Sequence, residues 1–560
     1  MKPRTRTNKP IPPAYAPITG SAEQEAIFAG VISAPMRSIV VNALAGTGKS
    51  TTIAEIAYRL RNTGLKLEYT SFGKANQEEM QAKAGKYLTA VTLHSMGKQL
   101  LEEHFGRLKV WTGNGRIWRM VSTRFDSHMQ DVKSAAVRIC GIAKQYAQAT
   151  PEYLKELVDH HDIELDGADL DKSVELAIAL LNAMCDPDEI AQGIDFDDMC
   201  WLPVIMGLEF RPDSRPDILA VDEMQDLNAV GQILASKRCN VLYVVGDPYQ
   251  AIYGFRGALN DAFSIMRGSL ISLGAKEYPL TVSRRCSQEV ARCAQVLVPS
   301  FKALPGAPMG SMEKVAHLPL EFPSGSMIVA RTNAPLVSTA YKLMRKNKRV
   351  CMLGRDLGDN IARLIRSYVQ QLRDLNRPAD MLEVVRLSRE FTNAAVAKYE
   401  ALLRPGQTSQ RAASAVDRHN CIESLAKCTA NVSMALSALR DMFSPHKDAI
   451  VLGTVFKVKG LEADHVFVIR GDLMPHPRAV QEWQVEQELH ALYVGITRAR
   501  KSLYFVETVP KPLERLFKEP DQVERDQEQA NEAQAQQDAC AAEQQAAWEH
   551  EQAGRNQPPW

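Results

Sequence analysis

Residues 38–57 read SIVVNALAGTGKSTTIAEIA, and the order of features in them sets the fold class. Ser38–Ala43 is a short, almost continuous apolar run, the pattern of a strand buried on both faces of a parallel sheet. A Gly-containing loop follows, then a helical pattern, TTIAEIAYRLRNTG, that ends at Gly64. Across the junction, Ala43-x-x-x-x-Gly48-Lys49-Ser50 has the [AG]xxxxGK[ST] form of a phosphate-binding loop. Gly46 and Gly48 let backbone N–H groups approach phosphate oxygens, and the helix N-terminus adds positive dipole. Lys49 can reach the β- and γ-phosphates of a nucleotide, and Ser50 can ligate Mg²⁺. The candidate nucleotide-binding residues of this loop are Ala45, Gly46, Thr47, Gly48, Lys49, Ser50 and Thr51. A plain Gly-rich turn is disfavoured by the strand before it and the helix after it.

The βαβ rhythm continues outward from the loop. Leu67–Ser71 and Thr89–Leu93 read as further strands, residues 96–195 as mainly helical, and Asp217–Val221 and Asn240–Val245 as strands again. A second α/β region begins near residue 276, with strands at Ser326–Ala330, Ile450–Thr454, His465–Ile469 and Ser502–Val506. Residues 373–446 within it are helix-like. The expected layout is two α/β cores, 1–95 with 196–275 and 276–372 with 447–512. Each carries a mainly helical insertion, 96–195 and 373–446, and a tail spans 513–560.

The whole chain of 560 residues is 45% hydrophobic and 24% charged, which excludes a collagen-like or mainly disordered chain. No run approaches the roughly 20 apolar residues of a membrane span. The ten cysteines include no pair with two-residue spacing, so neither a zinc site nor a disulfide framework is expected. The basic, Pro-rich start, MKPRTRTNKPIPPAYAP, has no apolar core of a secretory signal and is expected to be a flexible arm. The net charge of +1 hides two unlike parts. Residues 519–560 hold ten acids and two bases, a net of −8, which leaves +9 on residues 1–518. A basic body suits a phosphate backbone. The acidic, Gln-rich tail is either a solvated extension or a docking segment for a protein partner.

DILAVDEMQDLNAVG delivers Asp222 and Glu223 at the C-terminal end of an apolar strand, where parallel sheets build their sites. Asp222 suits Mg²⁺, and Glu223 suits positioning and deprotonating an attacking water. VVGDPYQAIYGFRGALNDAF places Asp247 and Gln250 at the next strand end, able to sense a γ-phosphate. Tyr253 and Phe255 beside Arg256 offer base stacking on a single strand.

GDPYQAIYGFRGA resembles motif III of superfamily 1A DNA helicases, the UvrD/Rep/PcrA group, and most nearly the F-box DNA helicase branch. The remaining motifs follow in that family's order through residue 506. Gln24 in ITGSAEQEAIF resembles the glutamine that reads adenine. TSFGKANQEEM resembles motif Ia, with Phe72 facing DNA, and VTLHSMG resembles motif Ib, with Thr92 and His94 near the strand. LTVSRRCSQEVARCAQ resembles motif IV, with Arg285 at the γ-phosphate arginine. TVFKVKGLEADHVFVI resembles motif V, with Gly460 at phosphate and Glu462 at ribose, and ELHALYVGITRARKSLYFV resembles motif VI, with Arg498 as second arginine finger. Four departures stand out. Arg284 replaces an aromatic that stacks on adenine, and Phe456 and Lys457 replace His-Ser in motif V, where they would supply stacking and a phosphate contact. Leu44 takes a common Gly position, and the segment 373–446 is much shorter than the 2B subdomain of the bacterial enzymes.

The resemblance implies an α/β fold of two RecA-like P-loop NTPase cores with mainly helical insertions. It implies ATP and Mg²⁺, with Lys49, Asp222, Glu223, Gln250, Arg285 and Arg498 as the catalytic set. The expected activity is an ATP-dependent DNA helicase moving 3′→5′ on single-stranded DNA, in replication, repair or recombination. The alternative is an ATP-dependent remodelling factor that strips or loads proteins with little unwinding. The expected partners are single-stranded DNA and single-strand/duplex junctions, without a membrane. A monomer is expected in the cytoplasm at the nucleoid, or in the nucleus of a eukaryotic host.

Overall fold

The computed structural model describes residues 15–71, 73–125, 129–161, 163, 165, 168–252, 262–401, 409–446 and 448–518. Phe72, Tyr253, Phe255 and the segment 519–560 lie outside the described residues. Among the described residues, the strands form two six-stranded sheets and one two-stranded pair. The first sheet has the order β3-β2-β4-β5-β1-β6, with β1 at Ile39–Ala43, β2 at Leu67–Ser71 and β3 at Thr89–Thr92. Its remaining strands are β4 at Ile218–Val221, β5 at Leu242–Gly246 and β6 at Lys276–Leu280. Every pairing in it is parallel.

Parallel pairing needs crossovers that cover both faces, so the central strands β4 and β5 are almost wholly apolar. Ile218, Leu219, Ala220 and Val221 of β4 and Val244 and Val245 of β5 are all buried. With β4, β5 and β1 adjacent and parallel, the loops that leave their C-terminal ends share one edge of the sheet. The phosphate loop leaves β1, Asp222 and Glu223 leave β4, and Asp247 and Gln250 leave β5.

After the short pair β7 (Val282–Ser283) and β8 (Lys302–Ala303), the second sheet runs β11-β12-β10-β13-β14-β9. Its strands are β9 at Ser311–Val315, β10 at Ser326–Ala330 and β11 at Val350–Met352, then β12 at Ile450–Thr454, β13 at Ala463–Ile469 and β14 at Ala499–Val506. Its pairings are also parallel. Alternation divides its side chains between two cores. Ile328 and Ala330 pack with the helices Met381–Glu400, Gln410–Cys428 and Val432–Met442 of the second insertion. Met327 and Val329 face the opposite way, into a cluster that also takes in Leu44 and Ala45 of the phosphate loop.

Three expected boundaries move. The first sheet extends past residue 275, because Lys276–Leu280 pairs with β1 from Ile39 to Ala43. The tail does not begin at 513: Leu513 is buried, and Phe517 packs edge-on against Phe505. The helix Lys49–Arg59 stops short of Gly64, where Thr63 turns back through its N–H and hydroxyl onto the Leu60 carbonyl.

The first insertion joins the core of the first sheet in one apolar cluster, from Ile117 and Met120 through Leu202. A buried ion network ties its helices Gly115–Arg124 and Gln130–Ala143 to the helix Asp198–Ile205 that follows the insertion. Asp198 pairs with Arg116 and, at 2.7 Å, with Lys144, which also holds Asp195 at 2.6 Å. Removing one member of such a buried set strands the opposite charge. We therefore expect Arg116→Ala to lower unfolding free energy by about 3–5 kcal/mol, read from chemical denaturation. A loss below 1 kcal/mol would show that the network does not hold the insertion.

Candidate active site

The phosphate loop can form only because of its glycines. Gly46 and Gly48 have φ of +72° and +90°, and a Cβ on Gly46 would stand 2.5 Å from Arg285 Cβ. The loop is thus pressed against the residue expected to contact a γ-phosphate. Gly46, Thr47, Gly48, Lys49, Ser50 and Thr51 line a cavity of about 680 Å³ together with Asp222, Glu223, Gln250, Arg285, Gly460, Glu462 and Arg498. Residues separated by more than 400 positions in sequence therefore share one space.

Charge organises its floor. Lys49 Nζ lies 2.9 Å from Glu223 Oε2, and Ser50 Oγ donates to Asp222 Oδ2 at 3.3 Å. Tyr69 OH donates to the same Asp222 oxygen at 3.0 Å. Glu223 has a left-handed φ of +52°, which turns its side chain back towards Lys49, and Gln225 Nε2 donates to it at 2.6 Å. Burial would push the Glu223 carboxyl up, but Lys49 and Lys459 outweigh it and hold it down at about 2. Burial and the neighbouring Glu223 charge push Asp222 up to about 6, against the pull of Lys49 and Tyr69. For Lys49, burial alone would lower the pKa, and Glu223, Asp247 and Asp222 together raise it. The hydroxyl of Ser50 and the carboxylate of Asp222 are hard oxygen donors of the type Mg²⁺ takes.

The cationic side of the cavity comes from the second half of the chain. Arg285 Nη2 pairs with Glu462 Oε1 at 2.8 Å, and its Nη1 donates to the Thr497 carbonyl at 3.1 Å. Arg498 is buried; it donates to the Val494 and Leu461 carbonyls and, at 3.4 Å, to Gln250 Oε1. Burial and the nearby Arg285 lower its pKa to about 10. Gln250 Nε2 in turn donates to Asp247 Oδ2 at 2.6 Å. Two expected residues stand outside this lining: Ala45 lies beneath the loop, and Gln24 is buried behind it, bonded to Thr52.

The structure adds residues that the motifs did not single out. Lys459 Nζ donates to Asp226 Oδ1 at 2.7 Å and to the Gln250 carbonyl at 2.6 Å, joining the two halves. Tyr493, fully buried, accepts the Ala45 N–H at 3.0 Å and donates to Asp247 Oδ2 at 3.3 Å. Both lie inside quoted motifs, yet a Lys or Tyr at those places carries no signal of a partner hundreds of residues away.

The strand-facing candidates are less concentrated. Phe72, Tyr253 and Phe255 lie outside the described residues. Thr92 caps the helix Leu93–Phe105 by accepting the Ser95 N–H at 3.2 Å. The His94 ring stacks on Phe196, an exposed aromatic absent from the expected set, at 3.9 Å between centroids. Burial pushes the His94 pKa down to about 4, so the stack is neutral. Phe456 lies under the Arg331 guanidinium at 4.7 Å and lines a cavity of about 280 Å³ with Arg331 and Trp483. Lys457 Nζ is 3.6 Å from the Asp356 carboxylate.

Tyr493→Phe keeps the ring and deletes both hydrogen bonds. It should cost about 1–3 kcal/mol of stability by leaving the buried Ala45 N–H and Asp247 short of a partner, measured by denaturant titration. An unchanged midpoint would remove Tyr493 as the link between the halves.

Comparison with known proteins agrees with this geometry. Residues 24–269 match the family model of the UvrD/REP helicase N-terminal domain, and residues 449–506 match the UvrD-like helicase C-terminal domain. Together they cover just over half of the chain. The chain is 22% identical over 502 residues to F-box DNA helicase 1 of Gallus gallus, an alignment that takes in 83% of this chain and 47% of that protein. It is 25% identical over 335 residues to F-box DNA helicase protein 1 of Schizosaccharomyces pombe, covering 53% of this chain and 34% of that one. It is 28% identical over 166 residues to the ATP-dependent DNA helicase PcrA of Bacillus subtilis, covering 26% and 22%. The chain thus spans about half the length, or less, of these curated relatives.

Proposed function

The chain belongs to the UvrD/Rep helicase family of superfamily 1A, and from that premise we propose that it is an ATP-dependent DNA helicase translocating on single-stranded DNA. We read the first parallel sheet as RecA-like core 1A and the second as core 2A, with the helical segment 96–195 as insertion 1B and 373–446 as a reduced insertion 2B. The observation that carries the reading is the single cavity shared by Lys49, Ser50, Asp222 and Glu223 with Arg285 and Arg498. A nucleotide cleft whose cations and carboxylates come from two sheets suits hydrolysis coupled to closure.

The residues present fit a magnesium nucleotide. Ser50 and Asp222 would hold the ion, which supplies neutralisation of the β- and γ-phosphate oxygens. Arg285 Nε is buried without a hydrogen-bond partner among the described residues, a donor that a phosphate oxygen would satisfy. The Lys49–Glu223 pair gives the site a resting state in which ammonium and carboxylate mask each other. When Lys49 turns to phosphate, Glu223 loses one of the two charges that hold it down, so its pKa rises and it becomes a better acceptor for a proton from water. Gln250 stands between Asp247 and Arg498, so its amide relays the state of the cleft between the sheets.

On the DNA side, Thr92, His94, Phe456 and Lys457 are assigned to the strand by their motif positions. Resemblance to the 1A group supports 3′→5′ movement and work in replication, repair or recombination. It also supports single-stranded DNA and junctions as partners, and a monomeric protein that acts wherever the host keeps its DNA. No helix among the described residues is long and apolar enough to cross a membrane. One observation favours a second reading, protein displacement with little unwinding: the helices of the second insertion share one apolar cluster with the second sheet.

Lys49→Ala should lower DNA-stimulated ATP hydrolysis by about 10²-fold or more while single-strand binding stays within a few fold. Unchanged turnover, read by phosphate release, would sink the assignment. Displacement from duplexes with 3′ or 5′ single-stranded tails separates the two readings. Unwinding of the 3′-tailed substrate alone is expected; unwinding of neither, with DNA-stimulated hydrolysis intact, would favour displacement.

A further inference from the structure

By their motif positions Gln24 and Arg284 are the residues expected nearest the base of a bound nucleotide. Gln24 is 1% exposed and does not line the cavity, whereas Arg284 does. The Gln24 amide oxygen is already closed. Its Oε1 accepts the Ser21 N–H at 3.0 Å and Arg284 Nη2–H at 3.0 Å. Its Nε2 donates to Thr52 Oγ1 at 3.0 Å, and the Thr52 hydroxyl spends its own proton on the Gly48 carbonyl at 3.0 Å. Ser21 N and the Arg284 guanidinium are obligate donors, so the amide cannot be turned over without setting N–H against N–H. Both lone pairs of the oxygen are therefore in use.

Arg284 is held at the phosphate loop as well, through its backbone N–H on the Gly46 carbonyl at 2.8 Å. Its side chain is exposed towards the cavity, with guanidinium N–H groups beyond the one given to Gln24. An incoming base meets these donors and no free acceptor from Gln24. Adenine offers a donor and an acceptor at N6 and N7, the pattern a free amide reads. Guanine offers two acceptors, O6 and N7, the pattern a guanidinium reads with two parallel bonds.

We propose that Arg284 sets the base selectivity of this site and that the chain binds and hydrolyses GTP at least as well as ATP. The inference rests on the nucleotide-site reading given above and widens its substrate from ATP to GTP. An exposed side chain can be replaced without disturbing the core, so the test is direct.

Calorimetric titration of the full chain with ADP and with GDP, both with Mg²⁺, should give GDP binding at least as tight as ADP. The kcat/KM values for the triphosphates should follow the same order. Arg284→Ala frees the Gln24 oxygen and should shift the ADP-to-GDP affinity ratio towards ADP by about tenfold or more. Arg284→Lys keeps the charge without the fork and should shift it in the same direction. Tighter binding of ADP than GDP by the unaltered chain overturns the inference and leaves the ATPase reading standing, as does a ratio unmoved in both variants. Binding of neither nucleotide, with no hydrolysis, overturns the nucleotide site itself.

Discussion

The phosphate loop is packed into a core that belongs to the other half of the molecule, and the site depends on that packing. Leu44 and Ala45 are buried with Val290, Val329 and Tyr493, and the Ala45 N–H is held by the Tyr493 hydroxyl. Leu44 also extends the first sheet by donating its N–H to the Leu280 carbonyl. One loop is thus anchored to both sheets. A Gly at residue 44 would bring no side chain to this cluster, so the departure from the common Gly has a packing role. Any motion of one sheet against the other is felt at Lys49, five residues on.

Around that anchor the electrostatics are closed on themselves. Asp222, Glu223, Asp226 and Asp247 are four carboxylates within one cleft, opposed by Lys49 and Lys459. Burial raises Asp222, Asp226 and Asp247, while at Glu223 the charges of Lys49 and Lys459, with the hydrogen bonds from Gln225 and Lys49, outweigh burial and lower it. The arrangement stores the machinery in neutralised pairs, each of which a polyanion can open. Arg285 is likewise parked on Glu462, so the residue expected at a ribose is here the partner of a phosphate-sensing arginine. A nucleotide entering the cleft would exchange partners rather than fill a vacant charge.

Apart from the edge strand β3, the strands legible beforehand are interior to the two large sheets. β10 and β12 occur at the expected residues, because each is interior and reads as a dense apolar run, and interior β2 does so too although its sequence, LEYTS, is mixed. The strands β6, β9 and β11 were not anticipated, and all three are edges. KEYPL and SMEKV carry charges because one side of an edge strand meets water. Of the site, the residues in phosphate-loop and strand-end motifs were legible because their chemistry is tied to short spacing. Tyr493 and Lys459 were not, since their roles come from contacts 200 to 450 residues away.

By itself the sequence determined the alternation of strand and helix, the loop that offers backbone N–H groups to phosphate, and the list of carboxylates and arginines. Those follow from local rules: apolar runs, glycine freedom and strand-end placement act over a few residues. Only the tertiary structure decided which of these groups face one another. It paired Lys49 with Glu223, set Arg285 on Glu462 and closed the Gln24 amide oxygen with Arg284. The physical reason is that burial and charge pairing act through space. The pKa of a carboxylate, and the donor or acceptor a base will meet, depend on neighbours that the chain brings together only by folding.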